Sequence, residues 1–166
     1  MKDRYQVDTG GLRGELPLTD LQKDRILKYI KLIESGAPFK VGVIRWVDDR
    51  EMNTAYSPGF DLLNVGTDVM PAIQPRGQGT LTANTRLTWK SSIAHELVGH
   101  REAALRGNTQ LKILLEEAQA SIRAAKFAPS LSSTERYTLL RDGVTRLHKA
   151  KLKIRQVKNI LDINSR

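Results

Sequence analysis

Two imidazoles and a carboxylate stand within six residues of one another, in His95-Glu96-Leu97-Val98-Gly99-His100. They include two of the chain's three histidines, with an acid directly after the first. Neutral imidazole is the commonest side-chain ligand for divalent transition metals. A carboxylate beside a ligand histidine is placed to take a proton from water and pass it to a leaving group. The chemistry indicated is metal-assisted hydrolysis. Zinc in hydrolases usually takes three protein ligands and keeps one position open for water.

The spacing sets a condition. Helical zinc sites commonly hold two histidines four apart, as in His-Glu-x-x-His. Residues four apart differ by about 40° around an α-helix, whereas residues five apart differ by roughly 140° and diverge. His95 and His100 are five apart. They can share one ion only if the helix widens locally into an i to i+5 turn, a distortion frequent at functional sites. The sequence therefore predicts an irregular turn between Glu96 and His100, centred on Val98-Gly99, with Gly99 supplying tolerance of unusual backbone angles.

A third ligand is required. Leu111, Leu114, Leu115, Ala118, Ile122 and Ala125 share one face of a downstream helical stretch. At ~100° per residue, Glu117 lies about 110° from the centre of that face and Glu116 about 150° away. Glu117 is the better candidate, and Glu116 is expected to point more to solvent.

With these residues in place, the motif His95-Glu96-Leu97-Val98-Gly99-His100 resembles the His-Glu-x-x-Gly-His motif of the dipeptidyl peptidase III family. Glu116-Glu117-Ala118-Gln119-Ala120 is similar to that family's Glu-Glu-x-x-Ala segment, and to the Glu-x-x-Ala of gluzincin metallopeptidases more broadly. The resemblance covers residues 90–125. It implies His95, His100 and Glu117 as zinc ligands and Glu96 as general base. The chain is much shorter than a dipeptidyl peptidase III, and the separation of His100 from Glu117 is nearer to that of ordinary gluzincins. The implied molecule is a minimal zincin-like domain. Gluzincins often stabilise the oxyanion with a downstream His or Tyr, so His148 and Tyr137 are candidates, with Tyr56 upstream. Zincins also carry a substrate-pairing edge strand before the active helix, which would be Thr80 to Ala83. In size and basic charge the chain is similar to metallopeptidase toxin modules of bacterial secreted proteins.

The elements that must position these residues read as α+β. One domain is expected over 1–166: an arm over 1–18, a helix and small sheet over 19–88, and a helical part over 89–166. Thr19-Asp20-Leu21-Gln22 is a capping box for a first helix that stops at Gly36. Strands are expected over Phe39 to Val47, Phe60 to Val65 and Thr80 to Ala83, with 52–59 ambiguous. Thr88 or Ser91 caps the motif helix, which runs to Leu105 and stops at Gly107. Asn108 or Thr109 opens the ligand helix, which runs to Phe127. Ser132-Ser133-Thr134-Glu135 is a second capping box, before a long C-terminal helix reaching Ile163 with a bend or break at Asp142-Gly143. Trp46 and Trp89 read as core packing. Arg101 and Glu102 read as surface pairs, with support of a ligand histidine as an alternative for Glu102.

The bulk composition narrows the classes. The chain has 166 residues, 40% of them hydrophobic and 27% charged, which suits a soluble globular domain. The absence of cysteine excludes disulfides, thiolate metal sites and a Cys nucleophile. The start, Met1-Lys2-Asp3-Arg4, is charged and lacks an apolar core, so no signal peptide is expected. The compartment is left open by the sequence, with residence in the cytoplasm or delivery within a larger secreted protein as the two expectations. The net charge is +9, and Thr134 to Arg166 holds nine Lys/Arg against three Asp/Glu. Such a segment suits polyanions, so a nucleic-acid-binding or nuclease module is the alternative to a peptidase. An acidic inhibitor or immunity protein is a further possible partner beside a peptide substrate. A purely structural zinc site is disfavoured, because such sites usually close with four protein ligands and no fourth is near.

Overall fold

The computed structural model describes residues 13–48, 53–71 and 82–166. Helix α1 (Asp20–Glu34) starts at the expected capping box. Gln22 N–H donates to Thr19 Oγ1 at 3.2 Å, and Thr19 N–H donates to Gln22 Oε1 at 2.9 Å. Its stripe of Ile26, Tyr29, Ile30 and Ile33 is buried. Three strands follow: β1 (Val43–Val47), β2 (Ala55–Ser57) and β3 (Leu62–Gly66). The sheet order is β1-β3-β2, with β1 parallel and β2 antiparallel to β3. This is the α+β arrangement expected, but the strands differ in place. The first begins at Val43 rather than Phe39, and the second at Leu62 rather than Phe60. The third is β2, inside the stretch whose type was ambiguous. Thr80 and Leu81 lie outside the described residues, and Thr82 and Ala83 lead into a short 3-10 turn, Asn84–Arg86, not a strand.

A three-residue strand has too little length to show a period. β2 exists because its hairpin is held from outside. Asp61 adopts φ 43°, a left-handed conformation that Asp tolerates. Its carboxylate accepts from Tyr56 Oη at 2.8 Å, Gly42 N at 2.8 Å and Arg101 Nε at 2.7 Å.

The motif helix, α2, comprises Trp89–Ala94, a π-helical segment His95–Arg101 and Glu102–Leu105. Thr88 caps it, accepting from Ser91 N–H. Its end comes at Gly107, with φ 72°. α3 (Ile113–Phe127) begins later than expected: residues 108–112 form a loop, and Leu111 is exposed because it precedes the helix. α4 (Ser133–Lys149) has the second capping box. Glu135 accepts from Ser132 N through one oxygen and from Thr88 Oγ1 through the other at 2.6 Å, which ties the N-termini of α4 and α2 together.

The expected break at Asp142-Gly143 does not occur, and α4 ends at Lys149 instead of continuing to Ile163. Gly143 is there for close approach. A Cβ at this position would lie 2.8 Å from Ile122 Cγ1 and 3.2 Å from Ala118 O, both on α3. After Lys151, at φ 59°, the chain turns through the short helix α5 (Ile154–Val157). Val157, Leu161 and Ile163 then pack with Ala118, Ile122 and Leu147 in a second cluster. The main cluster joins α1 to β3 through Leu63 and Val65, and to α2 through Ile93, Leu97 and Val98. Trp46 and Trp89 pack against it as expected, and Trp89 meets the Tyr29 ring edge-on at 5.9 Å.

Gly99 lies in the π segment where α2 crosses α3. A Cβ there would sit 2.5 Å from Ala120 O and 2.8 Å from Ala120 Cα. Its requirement is space, not unusual angles, since Gly107 is the glycine given a positive φ among the described residues. Gly99→Ala is expected to destabilise by about 1–3 kcal/mol through overpacking. Gly59→Ala, at a site with nothing within 4 Å, is expected to stay within about 0.5 kcal/mol of the parent. Urea unfolding of both variants checks this, and equal stabilities would contradict it.

Candidate metal centre

The π segment does what the five-residue spacing requires. Glu102 N–H donates to Leu97 O, five residues back. The wider turn returns His100 to the side of His95, and the two rings meet edge-on at 4.7 Å. Their Nε2 atoms are 3.1 Å apart. Glu117 reaches both from α3: Oε2 lies 3.1 Å from His95 Nε2, and Oε1 lies 3.4 Å from His100 Nε2. The ligand atoms of the three residues all lie within 4.8 Å of one another, a group that could hold a metal ion.

The far side of each ring decides what faces the centre. Ser121 Oγ donates its single proton to Asp142 Oδ2 at 2.6 Å, so it can only accept from His95 Nδ1, at 2.9 Å. His100 Nδ1 faces Glu116 Oε1 at 3.1 Å, again an acceptor. Both rings therefore carry a proton on Nδ1, and in the neutral tautomer both present a lone pair at Nε2. Two lone pairs and a carboxylate converge with no donor among them. Acceptors at such distances repel unless a cation lies between. Two nitrogens each about 2.0–2.1 Å from one tetrahedral ion sit roughly 3.3 Å apart, close to the separation seen. The donor set fits a metal ion.

Without a cation, a second proton on His100 is the other way to satisfy these acceptors. Burial alone would lower the His100 pKa, but hydrogen bonds to Glu116 and Glu117 outweigh it and hold the ring up at about 10. Burial would raise Glu117, yet its bonds to His100 and His95 hold the carboxyl well below its usual range. Burial pushes the Glu96 carboxyl up, against the pull of His100 and His95. Glu96 Oε2 accepts from the Tyr56 main-chain N–H at 3.0 Å, which fixes the carboxylate beside β2.

These residues line one wall of an open cleft of about 880 Å3. Ala55 and Tyr56 of β2 and Arg146 of α4 also line it. Arg146 Nε donates to Asp142 Oδ2 at 2.9 Å, and its Nη1 lies 3.8 Å from Glu117 Oε2. Asp142, Ser121 and Arg146 thus tie α4 to both His95 and Glu117. Buried partners of this kind fix ring orientation and ligand basicity.

The structure brings together His95, Glu96, His100 and Glu117. It does not bring His148 or Tyr137 to them. Both are exposed on α4 and neither lines the cleft. The Tyr56 phenol donates to Asp61, with its pKa raised to about 12 chiefly by burial, and its main-chain N–H is the group that meets Glu96. Glu116 does not point freely to solvent. It holds His100, and its other oxygen accepts from Gln110 N at 2.6 Å. Arg101 and Glu102 are buried rather than surface pairs. Arg101 serves Asp61 and the carbonyls of Phe39 and Lys40, and Glu102 pairs with Arg166 and Arg123 instead of a histidine.

Sequence reasoning missed Ser121, Asp142 and Arg146. A signal was present: Ser121 follows Glu117 by four and Arg146 follows Asp142 by four, so each pair shares a helix face. The chain matches no protein-family model, no curated protein and no solved structure.

Titration with Co(II) or Zn(II) is expected to show one ion bound per chain, lost in His95→Ala, His100→Ala and Glu117→Ala. Ser121→Ala is expected to weaken binding about 10–100-fold by freeing the His95 ring. Competition with a chromophoric chelator measures each affinity.

Proposed function

We propose that the protein is a zinc-dependent peptidase domain that cleaves within extended polypeptide. The observation that supports this most is the convergence of His95, His100 and Glu117 beside Glu96 at the wall of an open cleft. Two imidazoles and one carboxylate are a ligand set of hydrolytic zinc sites, and three ligands leave room for water. A divalent ion held there supplies Lewis acidity, which polarises a carbonyl and makes water a better nucleophile at neutral pH.

The remaining roles fall to the chain's own groups. Glu96 accepts the proton of the attacking water on its carboxylate and delivers it to the leaving amine. Its elevated proton affinity suits a group that must hold that proton between the two steps. Tyr56 N–H keeps the carboxylate from swinging away. Arg146 contributes positive charge to the cleft beside Glu117, where negative charge develops on the carbonyl oxygen during attack. β2 is an edge strand bordering the cleft, so an extended peptide has a backbone to run beside.

The nucleic-acid reading draws on the exposed Lys149, Lys151, Lys153, Arg155 and Lys158. None of these five lines the cleft that holds the histidines, although Arg146 of the same basic run does, so a nuclease using the His/Glu cluster draws less support than a peptidase. No helix among the described residues is long and apolar enough to cross a membrane.

Glu96→Gln is expected to retain its zinc and lose about 10²–10⁴-fold of the rate on an unfolded protein substrate. Chelation is expected to abolish the wild-type rate and zinc to restore it. A Glu96→Gln protein of undiminished rate would rule out the role given to this residue.

A further inference from the structure

A π turn leaves one carbonyl out of register with the helical N–H groups that follow. In α2, Glu102 N–H has gone to Leu97 O, whereas in a regular α-helix it would serve Val98 O. The Val98 carbonyl is met from another helix: Arg123 Nε on α3 donates to it at 3.0 Å. The guanidinium that does this is 0% exposed. Burying a cation is expensive unless it is paired and hydrogen-bonded. Arg123 meets this in part: Nε and Nη1 are hydrogen-bonded, while the buried Nη2 has ion-pair contact but no hydrogen bond. Its Nη1 lies 3.0 Å from Asp162 Oδ2 and donates to the carbonyls of Asp162 and Ser165, and its Nη2 lies 3.6 Å from Glu102 Oε2. Arg166, at the end of the same segment, holds Glu102 at 2.9 Å from the other side.

The location gives this arrangement its meaning. Val98 lies between the two ligand histidines, and Arg123 lies six residues after Glu117 on the helix that carries the third ligand. A surface ion pair would not need a fully buried arginine aimed at one backbone carbonyl. In a regular α-helix the Val98 carbonyl would already accept from Glu102 N–H, and only its second lone pair would be left for Arg123.

We infer that Arg123 is a positioning residue for the metal centre. Its Nε satisfies the carbonyl released by the π turn, which keeps that turn wide and His95 and His100 on one side. The segment Asp162–Arg166 acts through Arg123 as the clamp on the turn. This rests on the metal-centre part of the proposed function and not on any substrate.

The test uses the full chain with two variants. Arg123→Lys keeps a positive charge for Glu102 and Asp162 but loses the planar Nε donor. Arg123→Met with Asp162→Asn removes both the donor and one buried charge it balanced. Circular dichroism establishes which variants fold. Hydrogen exchange over residues 97–103 reads the turn without metal, and Co(II) affinity and absorption read the centre. The expected result is faster exchange over 97–103 with α1 unchanged in Arg123→Lys. Co(II) affinity should fall about 10–100-fold, with an altered ligand-field spectrum. A folded variant with wild-type exchange at the turn, wild-type Co(II) affinity and an unchanged spectrum would overturn the inference. If wild-type protein bound no Co(II), the metal centre itself would fall, while exchange would still report whether Arg123 holds the turn.

Discussion

The two imidazole Nε2 atoms of His95 and His100 face each other at 3.1 Å, and much of the structure around them serves that confrontation. Neither ring can turn its proton inward, because Ser121 and Glu116 each take the Nδ1 proton from behind. Glu117 adds a carboxylate to the same point. In the neutral tautomers this is an arrangement of acceptors with nothing to accept. A metal ion between them, or a second proton on His100, turns the mutual repulsion into attraction, and the group could hold such an ion.

Bringing the rings together requires a wide turn, and the wide turn must be tolerated by its neighbours. α2 crosses α3 at Gly99 and Ala120, close enough that a Cβ on the glycine would strike the Ala120 carbonyl. α3 in turn crosses α4 where Gly143 meets Ala118 and Ile122. These two close crossings carry Glu117 and Ser121 towards α2, and Asp142 and Arg146 towards α3. The sheet contributes less to the core and more to the site. β2 is short, yet it supplies the main-chain N–H that fixes Glu96. Arg101 emerges from the π segment itself to stabilise the hairpin that presents β2. The helix that carries both histidines and the cleft edge are therefore coupled through Asp61.

Features fixed by local chemistry were legible in the sequence. The Thr19 and Ser132 capping boxes are four-residue devices with side chains of definite type, and both are present. The π turn was legible because a five-residue spacing on an α-helix makes a geometric demand. Glu117 was legible from its angle on an amphipathic helix. What could not be read depends on long-range contact. β2 is defined by pairing with β3, not by its own three residues. Gly99 and Gly143 were read as points of backbone freedom, whereas each is a point where another helix comes close. Glu116 was judged by its angle alone, without the His100 ring that holds it. The Ser121–Asp142 pair joins two helices, and no spacing along one helix announces it. The final helix was read too long because the basic run contains helix formers, while the chain turns at Lys151 to bury Val157, Leu161 and Ile163.

X-ray absorption spectroscopy on the zinc-loaded chain tests the central claim most directly. The account predicts a first shell of two imidazole nitrogens and one carboxylate with oxygen from water, at about 2.0–2.2 Å. The outer-shell imidazole scattering should halve in both His95→Ala and His100→Ala. A shell with one imidazole or none, or one that either substitution leaves unchanged, would contradict it.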